Sequence, residues 1–377
     1  MRMLILGAGS AGFEAACELR RLSPDVEITL ISGENFLPYR RPALTRLLAA
    51  EVPDNQFYLK PESFYAENRI GLHTGVTIAA LNRTSHTAIA VSGEVFKYDR
   101  LLLALGASPR VLAVPGCDAP YVFKGRTRSD FDSLLTYLSS TGAASVAVIG
   151  GGLLGLEFAD ALLGRRLKVS IVEQAHCILP RQLDPEAAAR FGEIVAGAGV
   201  TARYGARLEG IEPKRIVLTN GESIPADAAI FAAGAIPNTA LARDAGLAVN
   251  HGIVTDAKLS TADTDVFAAG DCAEIDGAVS GLWAPAKEQG KVAAANMLGN
   301  HLEYTAAAAE ARFAGFGTKI FSAGEVNAAG DDITREIARD GANYRALTRH
   351  GGKLVGVLLL GDVSAAPKLS AELHLEF

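Results

Sequence analysis

Short apolar runs that stop at a glycine recur along the chain, and several are followed by a stretch with helical spacing. Met3-Leu4-Ile5-Leu6 runs into Gly7, which predicts a strand over 3–7, and Ala15, Ala16 and Leu19 then mark the inner face of a helix over about 10–22. Runs that are apolar at every position fit strands buried on both faces of a parallel sheet. Ile28 to Ile31 is the next strand, and Pro38 and Pro42 make a loop of 34–43. Ala88 to Val91 and Arg100 to Leu105 read as strands, the second ending at Gly106. The cycle restarts with a strand at 145–149, a helix over about 153–164 and a strand Val169 to Glu173. Ala228 to Gly234 and Thr264 to Asp271 are further strand-then-glycine segments, and 284–299 reads as an alanine-rich helix. From about 309 the pattern changes. Strand-like Tyr344 to Thr348, a turn at His350-Gly351-Gly352 and Leu354 to Leu360 predict an α+β tail.

Two of the glycine turns carry a chemical meaning. Gly7-Ala8-Gly9-Ser10-Ala11-Gly12 and Gly150-Gly151-Gly152-Leu153-Leu154-Gly155 both read G-x-G-x-x-G between a strand and a helix. The first glycine makes the tight turn, the second admits a pyrophosphate against the backbone, and the third lets helix and strand pack closely. The free N–H groups and dipole of the helix start then favour the phosphates. Two dinucleotide sites are therefore expected. Glu173 ends a strand 23 residues after Gly150. A carboxylate there accepts from both adenosine ribose hydroxyls of NAD and repels the extra phosphate of NADP. Gln174, Ala175 and His176 follow it, with no arginine pair, so NADH is expected over NADPH; the plainer alternative for Glu173 is a solvated strand end. In the first half Ser32 stands at that place, and Glu34 is the nearest acid.

Composition narrows the class. A chain of 377 residues has room for two or three domains, and 49% hydrophobic with 21% charged residues is ordinary for a globular protein. A net charge of −6 argues against nucleic acid as the main partner. No secretory leader and no apolar run long enough to span a membrane are read in the sequence, so a cytoplasmic protein is expected. Cys17, Cys117, Cys177 and Cys272 are dispersed with no C-x-x-C, which gives no case for a disulfide scaffold or a metal site. Cys272 reads as a small packed residue.

The glycine-ended strands Leu102 to Gly106 and Phe231 to Gly234, together with Val266-Phe267-Ala268-Ala269-Gly270-Asp271, bring a family into view. The chain resembles the FAD-dependent pyridine nucleotide-disulfide oxidoreductases over essentially its full length. That resemblance implies an α/β fold of two Rossmann-like dinucleotide-binding domains, one inserted in the other, plus a small α+β C-terminal domain. The FAD domain would be 1–110 with 236–308, the NADH domain 111–235, and the C-terminal domain 309–377. The FAD contacts it implies are Gly7, Gly9, Ser10, Ala11, Gly12, Glu34, Arg41, Pro42, Gly270, Asp271 and Trp283. The NADH contacts are Gly150, Gly152, Leu153, Leu154, Gly155 and Glu173, and Val76, Ala104, Gly106 and Gly234 are further cofactor contacts. Asp271 would accept from the flavin's sugar-alcohol chain; otherwise it is a helix cap.

Leu37-Pro38-Tyr39-Arg40-Arg41-Pro42-Ala43-Leu44-Thr45-Arg46 is similar to a segment of rubredoxin reductases and of ferredoxin reductases that serve oxygenases. Disulfide reductases carry a redox-active cysteine pair in this region, and peroxide- and oxygen-reducing relatives a single cysteine. Here no cysteine falls between Cys17 and Cys117. Arg46 stands where relatives have a lysine beside the flavin, paired with a glutamate that would be Glu157; arginine keeps the charge but changes the donor geometry. A salt bridge between domains is the alternative for that pair. Gly281-Leu282-Trp283-Ala284-Pro285 resembles the rubredoxin reductase helix start that abuts the flavin. The resemblance thus implies an NADH-dependent FAD oxidoreductase that feeds a small iron carrier, rubredoxin or ferredoxin, and works as a monomer without a metal of its own. Arg40, Arg41, Arg46, Lys124, Arg126 and Arg128 are candidates for docking an acidic carrier. A ferredoxin-reducing oxygenase component, an NADH oxidase and an NADH-gated binding flavoprotein are the alternatives.

Overall fold

The computed structural model describes residues 1–49, 53–306 and 308–375. The chain divides into two compact units, one of 1–47, 52–108 and 235–306, the other of 48–51, 109–234 and 307–377.

The first unit is built on a five-stranded parallel sheet in the order Val266–Ala268, Arg100–Leu103, Arg2–Leu6, Glu27–Ile31 and Ile70–His73. Its central strands are buried along nearly their whole length, as the unbroken apolar runs predict. The helices Ser10–Leu22 and Trp283–Met297 cover one face, where Ala15, Ala16, Leu19, Ala293 and Ala294 pack on Met3, Ile5 and Leu102. The other face packs Leu4, Leu6, Leu101 and Leu103 with Ala88, Tyr98 and Phe96, which come from a three-stranded antiparallel sheet, Ile78–Asn82, Thr87–Ala90 and Val95–Lys97, and its end. The helix Ser10–Leu22 ends where the Arg20 guanidinium takes the carbonyls of Ser23, Pro24, Asn68 and Arg69.

The second unit repeats this plan. Its parallel sheet runs Thr201–Arg203, Lys168–Val172, Ser145–Ile149, Ala228–Phe231 and Val122–Lys124. A second antiparallel three-stranded sheet, Leu208–Glu212, Arg215–Leu218 and Ser223–Pro225, packs Ile211, Ile216 and Ile224 on Ala147, Ile149, Ala229 and Phe231. One edge strand differs between the halves: Val266–Ala268 comes last in the chain among the strands of the first parallel sheet, and Val122–Lys124 comes first among those of the second.

The tail forms a five-stranded antiparallel sheet, in the order Glu310–Gly315, Thr318–Gly324, Lys353–Leu360, Asn343–His350 and Ile333–Asp340, covered by the helix Ala366–Leu375. Tyr344 to Thr348 and Leu354 to Leu360 fall inside two of these strands; the other three strands and the helix go beyond the sequence reading.

Candidate active site

Both fingerprints make the same turn. Gly7 has φ of 107°, and a Cβ there would fall 2.0 Å from the Ala104 carbonyl oxygen. Gly150 has φ of 120°, and its Cβ would fall 2.4 Å from the Ala232 carbonyl oxygen. The third glycines are as tightly placed: a Cβ on Gly12 would meet Gly7 O at 1.8 Å, and one on Gly155 would meet Gly150 O at 2.0 Å. The middle glycines are the opposite case. A Cβ on Gly9 or Gly152 would meet nothing within 4 Å. Both are helix N-caps with no side-chain cap. Each helix therefore opens on backbone that a pyrophosphate can approach, and a dinucleotide fits both cradles.

The acids beside the cradles differ. Glu173 stands at the end of its strand; its Oε2 accepts from Gly151 N at 2.6 Å and its Oε1 from Ala175 N at 2.7 Å. A carboxylate has about four acceptor sites, so both oxygens keep capacity for hydroxyl donors. In the first unit Ser32 occupies that place and is buried, 3.2 Å from the backbone of Glu34. The Glu34 carboxylate accepts from Tyr39 Oη at 2.7 Å and pairs with Arg41 at 2.9 Å. Val76 N donates to Ser32 O at 2.9 Å, so Val76 borders the same end.

Tyr39 is buried and stacks on Phe57 with centroids 4.7 Å apart, and Arg41 lies 5.4 Å over its ring. Burial works against the Arg41 charge, but Tyr39, Glu34 and Asp271 together outweigh it and hold its pKa above the ordinary value. Asp271 follows Gly270, which has φ of 80° and donates its N–H to Gln289 Oε1 at 2.7 Å. The helix Trp283–Met297 approaches the first cradle directly. Ser10 Oγ donates to Trp283 O at 3.2 Å, and a Cβ on Gly290 would fall 2.3 Å from Ala11 O. Ser10, Ala11, Gly270, Asp271 and Trp283 are thereby brought to one place. Ala104 lies over Gly7, and Asn238 donates to Leu105 O at 2.8 Å beside Gly106. Gly234 O accepts from Arg110 N at 2.9 Å in the second unit.

Arg46 is exposed on the short helix Leu44–Leu48 of the first unit, and Glu157 is half-buried on the helix Leu153–Gly164 of the second, which starts with Leu153 and Leu154. Pro42 is exposed in the turn Arg41–Ala43. Arg40 and Lys124 are exposed; Arg128 is committed to Asp132 at 2.9 Å. Cys272 is buried and its thiol points at the carbonyls of Leu103 and Ala269, at 3.3 and 3.5 Å, and burial pushes its pKa up to about 11. All four cysteines are free. Among the described residues no cluster of three or more His, Cys, Asp or Glu could hold a metal ion, and no helix is long and apolar enough to cross a membrane.

Tyr39 and Gln289 are site residues the sequence reading left without roles. Tyr39 lies in the proline-marked segment 37–46 and Gln289 in the alanine-rich helix, but a buried glutamine holding a glycine N–H 19 residues away has no local signal.

Residues 1–294 match the family model of the pyridine nucleotide-disulphide oxidoreductases, and 312–374 match that of the rubredoxin NAD+ reductase C-terminal domain. A nitrite reductase [NAD(P)H] of Bacillus subtilis (strain 168) is 31% identical over 383 residues, covering 100% of this chain and 47% of that protein. The chain thus spans about half the length of that relative. A rubredoxin-NAD(+) reductase of Pseudomonas putida is 37% identical over 279 residues, 72% of each protein. The solved NADH:rubredoxin oxidoreductase from Clostridium acetobutylicum superposes with a TM-score of 0.85 at 27% identity, covering 100% of this chain and 95% of that one.

Proposed function

Because the chain belongs to the pyridine nucleotide-disulphide oxidoreductases, an enzyme family that uses FAD and NAD(H), we propose that it takes electrons from NADH at the second cradle and passes them, by way of FAD at the first, to a small iron carrier protein, rubredoxin foremost. The flavin supplies the redox chemistry when bound, accepting electrons in pairs and releasing them singly. The chain's own residues bind and orient. Gly9 and the start of the helix Ser10–Leu22 receive one pyrophosphate; Gly152 and the start of the helix Leu153–Gly164 receive the other. Glu34, held by Tyr39 and Arg41, lies at the ribose end of the first cradle, and Glu173 at that of the second. Arg41 and Asp271 face the inner part of the first cradle, with Trp283 and its helix start beside them. Arg46 paired with Glu157 would set the nicotinamide against the flavin. The domains that do this are 1–110 with 236–308, 111–235 and 309–377, acting as a monomer.

The observation that supports a protein carrier as acceptor is the state of the thiols. No cysteine lies between Cys17 and Cys117, and Cys272, beside Asp271, is buried against backbone carbonyls. Among the described residues no pair of cysteines is joined as a second redox group that could receive electrons on the way to a disulfide or peroxide. A second reading draws on the match of the whole chain to the nitrite reductase, of which it spans about half: the chain would then be the electron-donating part of a larger enzyme, its acceptor in the remainder of that enzyme.

The test is NADH oxidation by the FAD-loaded protein, in air and without it, with rubredoxin, ferredoxin or no carrier, following carrier reduction optically. Fast turnover that needs rubredoxin supports the proposal. Preference for ferredoxin moves the acceptor, and rapid oxygen consumption without a carrier replaces the reading with an oxidase. Reduction of no carrier and no oxygen favours the larger assembly.

A further inference from the structure

The loop that carries Glu173 is held at both ends. Residues 173–184 join the strand Lys168–Val172 to the helix Pro185–Gly197. At the near end Gly151 N donates to Glu173 Oε2 at 2.6 Å, and Leu179 N donates to Gly151 O at 3.2 Å. Leu179 is fully buried with φ of 47°, in the left-handed region that is unfavourable for a bulky side chain. Such a conformation persists only where the surroundings over-determine it. The Leu179 carbonyl accepts from Gln182 N and Leu183 N, both at 2.9 Å.

The far end is held by the C-terminal sheet. Asn327 Nδ2 donates to Leu183 O at 3.1 Å and Pro180 O at 3.4 Å. Asp184, 1% exposed, caps the helix by accepting from Ala187 N at 2.8 Å. Its other oxygen accepts from Arg335 at 2.6 Å and Tyr344 Oη at 2.7 Å. Two residues on, Glu186 pairs with Arg339 at 2.6 Å and Arg190 at 3.2 Å.

We propose that the C-terminal sheet is a working part of the pyridine-nucleotide site: Asn327, Arg335 and Tyr344 are positioning residues that hold the loop 173–184, and through it Glu173, in place for the adenosine ribose. This rests on the second cradle being the NADH site. A carboxylate that must meet two hydroxyls at once has to be placed to within about half an ångström. The loop has no regular structure of its own and contains a strained residue. With the far anchor cut, it spreads over more conformations, and NADH must reorder it on binding.

The experiment uses the FAD-loaded full chain with Asn327→Ala and Tyr344→Phe. Asn327 is exposed and carries no charge, so its truncation leaves the buried ionic group intact. Each lost hydrogen bond predicts a KM for NADH, and a directly titrated Kd, raised about three- to tenfold with kcat within about twofold. Bound FAD and the KM for the carrier stay as in the parent. Arg335→Lys, which keeps the charge, recovers part of the affinity lost in Arg335→Gln. If the variants bind NADH as the parent does while their melting temperatures fall, the sheet is only a structural support and the inference is overturned. If the parent itself binds no NADH, the assignment of the second cradle fails, and the inference fails with it.

Discussion

Glu173 Oε2 and Gly151 N stand 2.6 Å apart, so the acid at the strand end is tied directly to the glycine turn it serves. In the first cradle the acid is held differently: Glu34 is reached by way of Ser32 and held by Tyr39 and Arg41. Glu173→Ala is therefore expected to raise the KM for NADH about tenfold to a hundredfold, the loss of charge-assisted bonds of about 1.5–3 kcal/mol. Its effect on NADPH is smaller, because the parent carboxylate repels the 2′-phosphate. Steady-state kinetics with both nucleotides check this; equal losses for the two would remove Glu173 from the ribose.

The glycines of the second fingerprint separate folding from binding. A side chain at Gly152 meets only open space, whereas one at Gly155 runs into Gly150 O. Gly152→Val should melt close to the parent, keep its FAD and lose NADH binding. Gly155→Val should lose stability by about 1–3 kcal/mol or fail to fold, as over-packed sites do. Melting curves beside NADH titrations distinguish the two, and a Gly152→Val protein that still binds NADH tightly would place the nucleotide elsewhere.

Arg41 joins Glu34 to the charge of Asp271. Arg41→Ala leaves Glu34 with Tyr39 and takes away a cation of the first cradle. The expected result is FAD binding weaker by about tenfold or more, the scale of one hydrogen bond to a charged group, with NADH titration at the second cradle unchanged. Bound flavin per chain after dialysis measures it.

The glycine turns were legible in the sequence because physics leaves little freedom there: only glycine fits where a Cβ would lie about 2 Å from a carbonyl oxygen, at Gly7 and Gly12 or Gly150 and Gly155. The parallel strands were legible for a similar reason, since burial on both faces demands runs such as Met3-Leu4-Ile5-Leu6. The strand Ile333–Asp340 was not. It lies at the sheet edge, exposed along most of its length, and reads Ile-Thr-Arg-Glu-Ile-Ala-Arg-Asp with no apolar face to declare it. Its Arg335 meets Asp184 across 151 positions of sequence, and Tyr344 meets it across 160. Neither partner carries a local pattern that points to the other, so the link between the tail and the loop 173–184 emerged only in three dimensions.

The ion pairs of that link set a pH dependence. Hydrogen bonds from Arg339 hold the Glu186 carboxyl down to about 2, from an ordinary 4.5. A depressed carboxyl contributes stability that is present above its unfolded value and is lost as pH falls through the folded one. The melting-temperature gap between the parent and Glu186→Gln should thus be full at neutral pH and close between about pH 4.5 and 2. A gap independent of pH would assign the Glu186 contribution to packing.

The thiols give the sharpest test of what happens after the flavin. Burial pushes Cys17 and Cys272 each up to about 11, so neither supplies thiolate at neutral pH, and thiolate is the form that attacks a disulfide or peroxide. Cys17→Ser and Cys272→Ala, separately and together, should reduce a carrier protein at the parent's rate to within about twofold, and alkylating reagents should leave the parent's turnover intact. A thiol relay predicts the reverse, with turnover collapsing when the participating cysteine is removed. Cys272 makes the comparison decisive, because it follows Asp271 at the first cradle, where a relay would have to stand. Its hydrogen bonds to Leu103 and Ala269 tie it to the sheet instead, so Cys272→Ala should lower the melting temperature while leaving the rate unchanged.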